Sequence, residues 1–251
     1  MSSLVIKIIA CATMLLDHWG YLMKSYGIGS FEVADIFRSI GRISFPLFAF
    51  LIGEGFKHTK NPVRYAFRLF LAGLISEIPY DLCFHRSYSY DGLNVMFTLL
   101  FALFALIFSD LCIKSQDKKM RWLFVVPPFA AAFVADNLGS DYGLWGVILI
   151  FLFYLIDGDS IKRKILLFPA VLIFASRYYI LSYTSNASVS SWGETQILAL
   201  FAFIPLLLYN GKKGHEFKSK IARKAEQYAF YLFYPAHLLL LYYVFPLLKK
   251  L

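Results

Sequence analysis

Apolar segments of about 20 residues recur along the whole 251-residue chain. Each is long enough to cross about 30 Å of hydrocarbon as an α-helix. Charged residues make up 16% of the chain and hydrophobic residues 59%, whereas a soluble domain carries about 25% charged residues. The sequence therefore predicts an all-α fold, a polytopic transmembrane helical bundle in which residues 1–251 form one integral-membrane domain.

Nine segments have the apolar character expected of membrane spans. They cover residues 4–24, 36–56, 64–84, 93–113, 121–136, 142–157, 163–183, 193–210 and 225–248. Basic residues concentrate in every second loop between them, at Lys57 and Lys60, at Lys118 and Lys119, at Lys164, and at Lys212 and Lys213. By the positive-inside rule, this alternation predicts a cytoplasmic N-terminus and an external C-terminus. The net charge of +9 is then explained by topology, and no nucleic-acid partner is expected.

Charged side chains from several segments fall at similar depth in the predicted outer half of the membrane. The acidic residues are Asp17, Glu77 and Asp81, and the basic residues are Arg38 and Arg42. A charge at the bilayer centre costs at least ~2.5–3.5 kcal/mol, so such residues face the bundle interior and mark functional sites. The alternative is a buried ion-pair network that only holds helices together.

Asp17 and His18 are neighbours, which separates them by about 100° around a helix. They therefore face different parts of the protein, and an acid that orients His18 has to come from another segment. Glu77 and Asp81 are four residues apart on one helix face and are the candidates for that acid. The alternative for His18 is a plain hydrogen bond between helices.

The last segment holds a second intramembrane histidine in YLFYPAHLLLL. Pro235 bends a helix and frees backbone carbonyls, which His237 or Tyr234 can satisfy. Asn94, Tyr234 and His237 are also candidates for contacts to a substrate. The two interpretations of His237 remain open from sequence alone.

An arginine and a proline lie together in GRISFPLF, where Pro46 is expected to bend the second segment and open space beside Arg42. The cytoplasmic end of that segment and the loop after it offer further polar groups, Glu54, Lys57, His58, Lys60, Arg64 and Arg68. These residues are candidates for binding the phosphates of a nucleotide-like cofactor, or else they only set the topology. Glu54 and His58 alone supply too few ligands for a metal site, and no metal is expected.

Seven blocks of sequence occur in the order in which the TraX family of bacterial membrane proteins shows similar blocks. They are LDHWG, RSIGRISFPLFAFLIGEGFKHTKN, RLFLAGLISEIPYDL, NVMFTLL, YGLWGVILI, LLLYNGKKG and FYLFYPAHLLLLY. The resemblance covers nearly the whole chain. The family's namesake is linked to acetylation of the N-terminal residue of conjugative pilin. The family is also similar to membrane acyltransferases such as heparan glucosaminide N-acetyltransferase, which use cytoplasmic acetyl-CoA and an intramembrane histidine.

The resemblance implies an integral-membrane acetyltransferase in the bacterial cytoplasmic (inner) membrane. Acetyl-CoA and an acceptor amine or hydroxyl, on a peptide or glycan, would be its substrates. His18 would act as general base, and Glu77 or Asp81 would orient it. Arg42 would stabilise an oxyanion or pair with the carboxylates, and Asp17 would hold Arg42. A proton-coupled transporter that uses the Asp, Glu and His cluster is the first alternative. An assembly factor without chemistry is the second, and a homo-oligomer is compatible with each.

Overall fold

Helices are the only regular secondary structure in the residues described by the computed structural model, which are 1–85, 92–156, 161–185, 188, 191–214 and 219–250. The all-α prediction is confirmed. The α-helices are α1 (Ser3–Tyr26), α2 (Phe31–Gly41), α3 (Ser44–His58), α4 (Pro62–Phe84), α5 (Val95–Lys114), α6 (Lys118–Trp122), α7 (Val126–Asn137), α8 (Gly143–Leu155), α9 (Ile161–Ala175), α10 (Arg177–Ser185), α11 (Ser191–Thr195), α12 (Phe203–Leu207) and α13 (Lys220–Leu248). Short 3₁₀ helices join α6 to α7 (Leu123–Val125) and α11 to α12 (Gln196–Ala202).

Local sequence signals set the ends of the long helices. The Ser2 hydroxyl accepts a hydrogen bond from the Val5 amide, and α1 ends at Gly27, whose φ of 67° is in the left-handed region that favours glycine. Asn61 caps α4 ahead of Pro62, where the missing amide hydrogen costs nothing. Each of these side chains satisfies one amide in the first turn of its helix.

The count of nine membrane spans is wrong. Within the described ranges, four helical segments are long and apolar enough to cross a membrane, namely α1, α2 and α3 taken together as Phe31–His58, α5, and α13 from Lys224 onward. The number is five if α9 and the start of α10 count as one bent span. At 1.5 Å per residue, the 12 residues of α7 and the 13 residues of α8 reach only about 20 Å. The segment 193–210 is divided among three short helices, and α4 is long enough but carries Arg64, Arg68, Glu77 and Asp81. The sixth predicted segment also ends at Asp157, which lies outside the described residues.

The predicted bend near Pro46 falls a few residues earlier. Helix α2 ends at Gly41 and α3 begins at Ser44, so the interruption is at Arg42 and Ile43. Pro46 is in the first turn of α3, where no amide is needed for a helical hydrogen bond. The break leaves Arg42 at the joint between two helices.

Backbone hydrogen bonds bring distant parts of the chain to two opposite ends of the bundle. At one end, the amides of Ser3 and Leu4 donate to the carbonyls of Lys212 and Lys213, at 2.9 and 3.1 Å. At the other, the Leu93 amide donates to the Gly139 carbonyl at 3.2 Å, just before α5 begins. The helices therefore run back and forth between the same two ends, although not all are long enough to cross a membrane.

Two apolar clusters form the interior. The larger joins α3, α5, α8 and α9, with Leu103, Leu106 and Ile150 fully buried. The smaller joins α1 to α13 around Leu22 and Leu238. Polar side chains lie where α1, α2, α4 and α13 meet, close to the second of these clusters.

Candidate functional site

A cavity of about 300 Å³ opens among α1, the α2–α3 joint, α4, the start of α5, α10 and α13. Its volume is at the lower limit of known small-molecule sites, which is about 300 Å³. Its charged lining consists of Asp17, Arg38, Arg42, Asp141 and Arg177. His18 and His85 also line it, together with several tyrosines that include Tyr234. The cavity therefore collects charges of both signs from four parts of the chain, which are α1, α2 with its end, the turn between α7 and α8, and α10.

Asp17 bridges two arginines of the α2 helix and its end. One carboxylate oxygen accepts from Nη1 of Arg38 at 2.7 Å, and the other accepts from Nη2 of Arg42 at 2.5 Å. Arg42 is held further by its Nε, which donates to the Arg38 carbonyl at 3.2 Å, and by Nη1, which donates to Gln196 at 3.4 Å. Sequence reasoning correctly brought Asp17, Arg38 and Arg42 together, and Asp17 fixes the positions of both guanidinium groups.

His18 faces a different neighbour, as the helix geometry predicts. Its Nδ1 lies 2.8 Å from Nε2 of His237, and Nδ1 of His237 lies 2.8 Å from the Phe233 carbonyl oxygen. A carbonyl only accepts, so His237 carries its proton on Nδ1 and presents a lone pair at Nε2. Nδ1 of His18 is then the donor, which leaves Nε2 of a neutral His18 unprotonated. The three groups form a hydrogen-bonded chain that fixes the tautomer of a cavity-lining histidine.

His237 thus takes the place that sequence analysis gave to Glu77 or Asp81. Glu77 accepts from the Asn94 side chain at 2.5 Å, and neither Glu77 nor Asp81 lines the cavity. Asn94 is fully buried, caps α5 through its side-chain oxygen and donates to the Gly73 carbonyl at 2.9 Å. It does not line the cavity either, because its polar atoms are used to join α4 to α5. Tyr234 lines the cavity from α13, and its contact with a substrate stays a prediction.

Two charged residues of the cavity were not among the predicted site residues. Arg177 is 5% exposed and lies against three aromatic rings, with its guanidinium carbon 4.5 Å from the Phe174 ring centroid. Asp141 lies in the turn between α7 and α8, where burial raises the pKa of its carboxyl from 3.8 to about 6, although Arg177 opposes the shift. An arginine inside the apolar run LIFASRYYIL is itself a sign of a functional position in a membrane segment, and this signal was available in the sequence.

The predicted cofactor residues lie at the other end of α3. Glu54 is the centre of this group: Lys57 and His58 lie 3.5 and 3.6 Å from its carboxylate, and Tyr209 donates to it at 3.2 Å. Arg68 lies over the Tyr65 ring at 5.6 Å. Lys60 and Arg64 are exposed. The 15 residues from Ser44 to His58 make α3 about 22 Å long, so the structure does not bring this group to the cavity.

One protein family and one protein of known name are similar to this chain over nearly its whole length. The family model described as TraX protein matches residues 2–245. A probable fimbrial assembly protein FimC, serogroup H1, from Dichelobacter nodosus is 32% identical over 252 residues, which cover 96% of this chain and 94% of that protein. No solved structure matches the chain. The residues matched by the family model include the helices that form the cavity, and the chain is a member of the TraX family.

Proposed function

We propose that this protein is an integral-membrane acetyltransferase that moves an acetyl group from acetyl-CoA to an acceptor amine or hydroxyl bound in the cavity. The observation that carries the proposal is the hydrogen-bonded chain from His18 through His237 to the Phe233 carbonyl. A histidine whose tautomer is fixed, and which lines a cavity beside arginines, has the arrangement of a general base.

The step follows from this arrangement. Nε2 of His18 takes the proton of the acceptor N–H or O–H group as its nitrogen or oxygen attacks the thioester carbonyl carbon. A C–N or C–O bond forms, the C–S bond breaks, and the sulfur leaves with the electron pair and takes up the proton from His18. His237 accepts the hydrogen bond from Nδ1 of His18 throughout, and so acts as a positioning residue.

Arg42 supports the same step electrostatically. Its Nη2 and Nε are held by Asp17 and by the Arg38 carbonyl. A guanidinium has five N–H donors, so donors remain for the negative charge that develops on the thioester oxygen. Donors that are held in place before the reaction stabilise such a charge without reorganisation.

Acetyl-CoA, the second substrate, supplies the acetyl group as a thioester, and the cavity suits only its reactive end. About 300 Å³ is at the lower limit of the space that small ligands occupy, so the nucleotide end would extend outside the cavity. Lys60 and Arg64, both exposed at the far end of α3, are the residues proposed to bind its phosphates. Lys57 and His58 are less suited because Glu54 already engages them.

The acceptor we favour is the terminal amine of a fimbrial or pilus subunit. The relative from Dichelobacter nodosus is named as a probable fimbrial assembly protein, and the TraX family resemblance points to pilin acetylation. A primary amine is also a group from which His18 can remove a proton during attack.

The first prediction concerns turnover. Purified protein is incubated with radiolabelled acetyl-CoA and a peptide with the sequence of a fimbrial subunit N-terminus, and label on the peptide is counted. His18→Ala should lower kcat by about 100-fold or more, the typical contribution of a general base. His237→Leu should lower kcat by roughly tenfold or more with little change in KM, because it removes the acceptor that fixes the His18 tautomer. His237→Gln offers an amide oxygen to Nδ1 of His18 and should recover part of the loss.

Tyr183→Phe is the control, since this side chain is 88% exposed and lies outside the cavity. Equal transfer by wild type and His18→Ala would overturn the general-base role. Equal kcat for His237→Leu and wild type would overturn the positioning role. Acidification of proteoliposomes without any use of acetyl-CoA would instead favour a proton-coupled transporter.

A further inference from the structure

Arg177 is a buried cation that the proposed reaction does not use. Its guanidinium carbon lies 5.2, 4.5 and 4.6 Å from the ring centroids of Tyr142, Phe174 and Tyr178. Its Nη2 donates to the Tyr178 hydroxyl at 3.5 Å, which is a long hydrogen bond. Its Nη1 is buried and has no hydrogen-bond partner among the described residues. The aromatic rings fix the plane of the guanidinium but leave part of its donor edge unsatisfied.

No described carboxylate lies within 4.0 Å of the Arg177 guanidinium, whereas Asp17 lies 2.7 and 2.5 Å from Arg38 and Arg42. Asp17 is engaged by Arg38 and Arg42. Asp141 is near enough to feel the charge of Arg177, but the two do not touch. Three guanidinium groups therefore face two carboxylates across one cavity, and the unmatched cation is Arg177. A buried cation without a partner is costly, which favours a ligand of opposite charge.

The backbone at Arg177 also favours an anion. Helix α9 ends at Ala175, α10 begins at Arg177, and the two axes differ by 49°. The start of a helix carries partial positive charge from its first amide groups. Broken membrane helices in transporters bind anionic groups in this way, with a half-helix N-terminus directed at the ligand. Arg177 therefore adds a full charge to the N-terminus of α10, which already favours anions.

We propose that Arg177, at the break between α9 and α10, binds an anionic group, a carboxylate or a phosphate, of the molecule that occupies the cavity. The planar guanidinium suits both groups because each presents two oxygens to its fork. If the proposed function is correct, that molecule is the acceptor, and this acceptor carries an anionic group beside its amine or hydroxyl. The assignment to the acceptor rests on the proposed function, whereas anion binding itself can be measured without turnover.

The test measures binding through thermal stability. Wild type, Arg177→Gln, Arg177→Lys and Arg121→Gln are purified in neutral detergent, and their unfolding midpoints are followed as sodium acetate or inorganic phosphate replaces sodium chloride at constant ionic strength. Arg121 is exposed and outside the cavity, so its variant controls for the loss of one positive charge. A second set is reconstituted in nanodiscs of phosphatidylcholine with or without phosphatidylglycerol, to distinguish a lipid phosphate from a free anion.

Acetate or phosphate should raise the unfolding midpoint of wild type and of Arg121→Gln. In Arg177→Gln, the anion concentration that gives half of the shift should be at least tenfold higher. Arg177→Lys should lie between them, since lysine keeps the charge but not the fork. A shift in wild type that occurs only with phosphatidylglycerol, and is lost in Arg177→Gln, supports the site and assigns the anion to a lipid headgroup. The proposal would be overturned if the midpoints of wild type and Arg177→Gln responded equally to the anions. It would also be overturned if the anions shifted the midpoint of neither wild type nor Arg177→Lys.

The two proposals fail separately. If Arg177→Gln loses anion binding and wild type transfers no acetyl group, the anion-site proposal stands and the acetyltransferase proposal is overturned. If wild type transfers acetyl groups and Arg177→Gln binds anions normally, the acetyltransferase proposal stands and the anion-site proposal is overturned. Where Arg177→Gln does not fold, the comparison of Arg177→Lys with wild type gives the answer.

Discussion

At the scale of single residues, the pair of neighbours that stands out in the sequence has two separate roles. Asp17 bonds to Arg38 and Arg42, whereas His18 bonds to His237 on α13. Removing one partner of a buried ion pair costs about 3–5 kcal/mol, so substitutions at Asp17 affect folding as well as chemistry. His18 is the residue at which a substitution reports on chemistry more directly.

Asp141 gives a prediction about pH and stability. Its folded pKa of about 6 is above the ordinary value of 3.8, so the folded protein favours the neutral acid. The resulting stabilisation is fully present below pH 3.8 and is lost as the pH rises through about 6. Asp141→Asn has no proton to lose. We expect the variant to be more stable than wild type at pH 7.5, by up to about 3 kcal/mol.

The measurement is the unfolding midpoint in detergent between pH 4 and pH 8. The advantage of Asp141→Asn should shrink steadily as the pH falls toward 4. Asp117→Asn is the control, because Asp117 is exposed and lies outside the cavity. An advantage that does not change with pH would contradict the role of Asp141 ionisation.

At the scale of helices, close packing of α1 on α2 decides where the charges meet. Gly41 ends α2 directly against Asp17, and Gly20 of α1 lies against α2, where an added Cβ would be 2.7 Å from the Ala34 carbonyl oxygen. Such contacts let two backbones approach closely. The spacing of Asp17, Arg38 and Arg42 therefore depends on two residues that have no side chain.

Gly41→Ala should test this dependence. The new methyl group would lie 2.7 Å from Cα of Asp17, which forces the helices apart and breaks the geometry of both ion pairs. We expect a loss of about 1–3 kcal/mol, the usual cost of overpacking, measured as a lower unfolding midpoint in detergent. Gly53→Ala is the matched control, because its nearest neighbour would be the Tyr154 nitrogen at an ordinary 3.6 Å.

Gly53→Ala should leave the midpoint unchanged or raise it slightly, since alanine is the better helix former. If both variants unfold at the wild-type temperature, the α1–α2 contact is not a constraint on the site.

At the scale of the whole molecule, basic residues collect at one end of the bundle and the charged cavity lies toward the other. Lys212 and Lys213 meet the N-terminal residues of α1, and Lys164 donates to the Tyr209 carbonyl at 2.5 Å at the same end. The α7–α8 turn, which holds Asp141, meets the start of α5 at the opposite end. This separation supports the positive-inside argument without depending on nine full spans.

The orientation itself can be measured by labelling. Single cysteines are placed at Lys118 and at Asn137, in a background where Cys11, Cys83 and Cys112 are replaced by alanine, and are treated with a membrane-impermeant maleimide. Both positions are exposed and lie toward opposite ends of the bundle. Lys118→Cys should react only in inside-out vesicles, and Asn137→Cys only in intact cells with a permeabilised outer membrane. Reaction of both from the same side would contradict a basic end that faces the cytoplasm.

The sequence by itself determined the helical class, because apolar segments of membrane length leave no other way to satisfy the backbone. It also determined that Asp17 and His18 face different neighbours, since adjacent residues diverge by about 100° on any helix. Charge and depth grouped Asp17 with Arg38 and Arg42, although Glu77 and Asp81 were equally available as partners of the arginines. These features depend on local geometry or on hydrophobicity, both of which are readable along the chain.

Only the tertiary structure decided which partners meet. His18 and His237 are 219 residues apart, and nothing local distinguishes His237 from Glu77 as the partner of His18. The cavity also takes in Arg177 and Asp141, because a break in one helix and a turn between two others face the same space. Hydropathy could not give the number of spans either, since an apolar segment can pack inside the protein as short helices as readily as it can cross a bilayer.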